Sequence, residues 1–110
     1  MDLSSLPFAL DLVQLGERSL RLRVRGELDL ATSPALGETL EREIRDGKSV
    51  VVDLSDVTFI DSAGLHTLMR AARLCEANGG GFSVSPGLPA QVRRVFQITG
   101  LDALLPIEPD

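Results

Sequence analysis

Val50-Val51-Val52-Asp53-Leu54-Ser55-Asp56-Val57-Thr58-Phe59-Ile60-Asp61-Ser62-Ala63-Gly64-Leu65 is the stretch whose reading decides the fold. Its first five residues are mostly β-branched and, Asp53 apart, apolar, the pattern of a central strand covered on at least one side by helices. From Ala63 onward the period changes. Leu65, Leu68, Met69, Ala72 and Cys75 keep helical spacing while Arg70, Arg73 and Glu76 fall elsewhere, so an amphipathic helix runs to the terminator Asn78-Gly79-Gly80-Gly81. Asp53, Asp56, Asp61 and Ser62 are expected between the end of that strand and the start of the helix. In open α/β sheets, ligands and partners bind at this edge, beyond the carboxyl ends of the strands.

Upstream, Ala31-Thr32-Ser33-Pro34 is a helix-start signal, because a hydroxyl can satisfy a free N–H and Pro tolerates the first helical position. Leu36, Leu40 and Ile44 recur every four residues, and Gly47 is placed to end that helix in a left-handed conformation. Before it, Ser19 to Gly26 alternates cleanly, with Leu20, Leu22 and Val24 on one side and Arg21, Arg23 and Arg25 on the other. Phe8 to Leu15 alternates less regularly, and Gly16-Glu17 between the two runs predicts an N-terminal antiparallel hairpin. Downstream, Phe82-Ser83-Val84 reads as a further strand and Pro89 to Thr99 as a last helix closed by Gly100. The tail from Leu101 to Ile107 is apolar, interrupted by Pro106. The order is strand, strand, helix, strand, helix, strand, helix. It predicts an α/β fold, with a mixed sheet of about four to five strands and helices packed against it, as a single domain over residues 1–110.

A chain of 110 residues buries a core without help from metals or disulfides. The formal net charge of −5 disfavours direct nucleic-acid binding, and the absence of Trp and Tyr removes most stacking platforms for bases or sugars. The single Cys75 is expected as a small core residue rather than a redox centre. One His and one Cys form no metal-ligand spacing, so neither metal nor cofactor is expected. Gly79-Gly80-Gly81 lacks the Lys-Ser/Thr and helix start of a phosphate-cradling loop. The outward face bearing Arg21, Arg23 and Arg25 is read as solvated rather than as an anion site. No apolar run approaches the roughly 20 residues of a membrane span, and no basic-then-apolar leader follows Asp2, so a soluble cytoplasmic protein is expected.

Asp61 or Ser62 can cap the helix that follows. A cap does not account for Gly64, which costs about 1 kcal/mol relative to Ala inside a helix and therefore calls for an unusual backbone angle or a close approach by another molecule. With small Ala63 beside it, Ser62 is expected to lie open to whatever docks above. A phosphate there meets free N–H groups and the positive end of the helix dipole. Nucleophilic catalysis needs a base and a group orienting it. The only histidine, His66, lies one turn on, but the G-x-S-x-G elbow is missing, so no enzymatic activity is expected.

Gly26-Glu27-Leu28-Asp29-Leu30-Ala31-Thr32 together with Val51 through Leu65, in that order and separation, resembles the STAS domain, specifically the bacterial anti-sigma factor antagonists. The resemblance covers most of the chain and implies the STAS fold and a partner switch. The unmodified antagonist binds an anti-sigma factor and frees a sigma factor; that anti-sigma factor is also a serine kinase whose phosphorylation of Ser62 breaks the complex, and a serine phosphatase restores it. It implies that Asp29, Asp61, Ser62, Ala63, Gly64 and His66 form or border the partner surface, Asp29 and Asp61 having also plain roles as turn former and helix cap. Ala63 stands where many relatives carry Ser or Thr, leaving Ser62 as the hydroxyl of the motif and Thr67 as a weaker acceptor candidate. A second reading is an unphosphorylated accessory subunit of a lipid-transport complex, with Ser62 as cap and contact.

Overall fold

The computed structural model describes residues 7–109; residues 1–6, Asp2 among them, and Asp110 lie outside the described residues. Strands β1 (Ala9–Gly16) and β2 (Ser19–Leu28) lead into α1 (Ser33–Arg45), β3 (Ser49–Ile60), α2 (Ser62–Ala77), β4 (Phe82–Val84), α3 (Ala90–Thr99) and α4 (Leu101–Leu104). The sheet order is β1-β2-β3-β4. The β1–β2 pair is the expected antiparallel hairpin, while β2–β3 and β3–β4 are parallel. The sheet is therefore mixed, with α1 and α2 as crossovers between its parallel strands.

The clean alternation of β2 becomes a division of faces. Leu20, Leu22, Val24 and Leu28 are buried, and Arg23 and Glu27 are exposed. The central strand is longer than its sequence suggests, at 12 residues, so Asp53 and Asp56 are part of the ladder and not of a loop. Its periodicity is disguised by two irregularities: Arg23↔Asp53 is followed by Arg25↔Asp56, and Gly26↔Val57 by Glu27↔Phe59. Each inserts one extra residue into β3, as a bulge does. The buried series Val50, Val52, Leu54, Val57, Ile60 thus steps by two and then by three while staying on one face.

Two of the three arginines of the other face are paired with carboxylates, while the buried Arg21 Nε has no hydrogen-bond partner among the described residues. Arg23 Nε lies 3.5 Å from Asp53 Oδ2 and 3.9 Å from Asp56 Oδ2, and a guanidinium nitrogen of Arg25 lies 3.6 Å from Asp11 Oδ2. Asp53 and Asp56 thus lie in the ladder beside Arg23, and not with Asp61 and Ser62 between the strand end and the helix.

The core is one cluster. Leu36, Leu40 and Ile44 of α1 and Leu65, Leu68, Ala71 and Cys75 of α2 pack with the buried sheet residues, joined by Val92 and Phe96 of α3. Met69, Ala72 and Val95 are half-buried at its margin. Cys75 is wholly buried, its Sγ 3.2 Å from the Gly81 carbonyl oxygen, and burial pushes its thiol pKa up. Gly47 ends α1 with φ +80°, the expected left-handed stop. The apolar tail, outside the seven elements expected from sequence, forms α4, buries Leu101 and Leu105 and bridges Ile107 to Val84 in parallel.

Candidate partner-binding site

Leu28 and Ile60 face each other at the ends of β2 and β3. One residue beyond each stands an aspartate, and the two carboxylates organise the two turns that leave the sheet. Asp29 Oδ1 accepts the N–H groups of Ala31 and Thr32 at 3.0 and 3.1 Å, closing an Asx turn. Thr32 does not cap α1 with its side chain, contrary to the helix-start reading. Its hydroxyl accepts the Asp29 N–H at 2.9 Å and lies 2.8 Å from the Glu27 carbonyl oxygen, so it ties the turn back to β2. Ser33, buried, donates its hydroxyl to the Asp29 carbonyl at 2.6 Å.

On β3's side, the Asp61 N–H donates to the Leu28 carbonyl at 3.2 Å, holding the strand ends together. Asp61 is extended (φ −117°, ψ −172°), and its Oδ1 accepts the Gly64 N–H at 3.1 Å. Of the two candidate caps, Asp61 is the one used, which makes Ser62 the first helical residue. Ser62 is exposed, and no hydrogen bond among the described residues uses its hydroxyl. In the first turn of α2, with Asp61 occupying the Gly64 amide, the N–H groups of Ser62 and Ala63 have no intrahelical acceptor.

Gly64 is small because of its own chain. A Cβ there would lie 2.8 Å from Leu28 Cγ, 2.9 Å from Ile60 Cγ1 and 2.9 Å from the Leu28 carbonyl oxygen. The sequence reading of an unusual backbone angle or another molecule close by is corrected: what approaches Gly64 is the chain's own sheet. Gly64 is buried, Ala63 half-buried and His66 exposed. Thr67 is half-buried and donates its hydroxyl to the Ala63 carbonyl at 3.0 Å, so it is a hydroxyl already spent within the helix.

The fold thus gathers Asp29, Asp61, Ser62, Ala63, Gly64 and His66 at or beside one edge, with the two aspartates and Gly64 shaping it and Ser62 and His66 presented outward. Two residues not singled out from sequence join them. Leu30 is 78% exposed and Phe59 is 42% exposed. An apolar residue inside an Asx turn, and one on the open side of a strand end, are the sequence signals that point to them. Among the described residues no group of three or more His, Cys, Asp or Glu side chains converges on a metal position, and no helix is long and apolar enough to cross a membrane.

The chain matches the family model described as Mlab, STAS domain, over residues 12–106. It is similar to the anti-sigma-B factor antagonist of Bacillus subtilis, 28% identical over 95 residues that cover 86% of either chain. To the protein of the same name in Staphylococcus aureus it is 31% identical over 90 residues, 81% of this chain and 82% of that one. Among solved structures, an anti-sigma factor antagonist from Mycobacterium paratuberculosis superposes with a TM-score of 0.82 at 28% identity, covering 94% of this chain and 87% of the other. The Bacillus cell fate determinant SpoIIAA in its phosphorylated form superposes with a TM-score of 0.72 at 22% identity, covering 93% of each chain, a likeness of fold.

Proposed function

The chain belongs to the STAS-domain family, and on that premise we propose that it is an anti-sigma factor antagonist controlled at Ser62. Its unmodified form binds an anti-sigma factor with serine kinase activity and so releases a sigma factor. Phosphate transferred to Ser62 ends that complex, and a serine phosphatase resets it. The chain itself is a binding protein without catalysis or cofactor, and it acts in the cytoplasm.

The observation that carries this reading is the placing of Ser62 as the exposed first residue of α2, capped from behind by Asp61. A phosphate on its hydroxyl adds about −1.5 to −2 charges and three acceptor oxygens. The first-turn amides and the helix dipole accommodate that charge, so the fold tolerates the modification. A partner seated on Leu30, Phe59 and His66 meets new bulk and new charge at the centre of its contact. The switch acts on the complex and leaves the domain folded.

The test is incubation of the purified chain with its anti-sigma factor and ATP, followed by mapping of the phosphate. One phosphate on Ser62, abolished in Ser62→Ala, is expected. Ser62→Asp should bind the anti-sigma factor more weakly than wild type while Ser62→Ala binds equally well. Equal affinities of all three by calorimetry reject the switch. Co-purification with a lipid transporter and no phosphate on Ser62 would favour the accessory-subunit reading instead.

A further inference from the structure

Between α1 and α2, on the surface beside Ser62, runs a groove of about 900 Å³. Its floor is made of small and apolar residues from both helices, Pro34 and Gly37 on one side and Ala63, Ala71 and Leu74 on the other, with exposed Leu30 at its lining. Its rims carry opposite charge. Glu38 and Glu41 stand on the α1 side, Arg70 and Arg73 on the α2 side. Glu41 is shared with Arg45 at 3.4 Å, while none of the ion pairs among the described residues engages Glu38, Arg70 or Arg73.

We propose that this groove receives an amphipathic helix of the partner, with an apolar stripe on the floor, basic side chains toward α1 and acidic side chains toward α2. Both walls are helices whose mid-helix N–H and C=O groups are already paired internally. An extended segment lying there would lose water from its own peptide groups without finding partners, whereas a helix brings its hydrogen bonds with it and packs ridges into the groove. A fatty acid would satisfy the floor and could pair its one carboxylate with the arginine rim, but it would leave the Glu38 and Glu41 rim unmatched. Turning the docked helix end for end exchanges its flanks, so the opposed rims select a single direction. Ala63 and His66 line the groove next to Ser62, so a helix seated there runs toward the phosphorylation site. The identity of the partner rests on the antagonist reading; the shape and charge of the groove do not.

The probe is a stapled helical peptide with a leucine stripe, lysines along one flank and glutamates along the other. By NMR titration against the full chain it should shift amides of α1 near Gly37 and of α2 from His66 to Leu74. Peptides with all-lysine or all-glutamate flanks should bind about tenfold more weakly, as should the mixed peptide to Arg70→Glu/Arg73→Glu, the scale set by a few exposed charge pairs. Gly37→Leu should block it. A Cβ at Gly37 makes only an ordinary 3.6 Å contact with the Thr67 methyl, so the first carbon of the new side chain is accommodated, and urea titration checks that the variant keeps the fold. No shift with the mixed peptide, equal binding of all three peptides, or Gly37-dependent binding of decanoate without peptide binding overturns the proposal. In a second arm the peptide competes with the anti-sigma factor for the chain. Displacement supports the partner helix in the groove, and simultaneous binding of both overturns it. If no anti-sigma factor binds wild type at all, the antagonist reading fails while the peptide result still decides the groove.

Discussion

Gly64 shows how little room the edge of the sheet allows. Gly64→Ala drives a methyl to within 3 Å of two buried side chains and of the Leu28 carbonyl oxygen, and a carbonyl in a strand cannot swing aside. The overpacking should cost about 1–3 kcal/mol, read as a lowered urea midpoint at unchanged slope, although alanine is the better helix former. An unchanged or raised midpoint would show that the strand ends yield. Asp61 separates two roles that its sequence position confounds. Asp61→Ala should lose about 1 kcal/mol through the vacated Gly64 amide, whereas Asp61→Asn keeps a capping oxygen and should lose little stability. A partner affinity that falls equally in both variants would assign the carboxylate's charge to the interface; one that falls only in the alanine variant would make Asp61 a cap alone. The motif was legible as a helix start with an exposed serine. That its glycine answers to Leu28 was not, because those residues are 36 positions apart and the contact is made only when β2 and β3 pair.

At the scale of elements, β2 is legible in the sequence because one of its faces is open, and open faces alternate. The full length of the central strand is hidden in the sequence because its hydrophobic period changes from two to three at each bulge, which makes Asp53 and Asp56 look like loop formers. Hydrogen bonds from Ser55, with the Arg23 guanidinium beside them, are what permit a carboxylate as buried as Asp53 in a sheet. Burial pushes its pKa up, but the Ser55 hydrogen bonds, one of them a 2.9 Å bond from the Ser55 N–H, and the Arg23 guanidinium outweigh that and hold it below the ordinary 3.8. A carboxylate whose folded pKa lies below its unfolded one stabilises the fold fully above the unfolded value, and that contribution is lost as pH falls through the folded value. Asp53→Asn should therefore be less stable than wild type at neutral pH, and the gap should close as pH drops below about 3.8. Urea titrations at several pH values read the gap. A difference independent of pH would assign the loss to packing alone.

Over the whole molecule, the least legible region was the tail, because its partner is the three-residue β4, itself nearly too short to read. Two backbone bonds of 2.8 Å close it: the Val84 N–H donates to the Pro106 carbonyl, and the Glu108 N–H donates to the Val84 carbonyl. Leu101 and Leu105, each 2% exposed, are its apolar contribution to the same cluster that holds the sheet and α2. If the tail is part of one cooperative unit, emptying the Leu105 site should be felt by the whole fold. Leu105→Ala should then cost about 2–5 kcal/mol, the range for a fully buried leucine, with the urea slope unchanged because the same surface is exposed on unfolding. Ile107, 37% exposed, supplies the contrast, and Ile107→Ala should cost distinctly less. A tail that instead opens by itself would give Leu105→Ala a lowered slope and fast amide exchange confined to the residues after Gly100, the mark of a separate low-stability unit. The burial of both leucines in the common core argues for the cooperative outcome, in which the tail holds β4 on the sheet against the edge opposite β1.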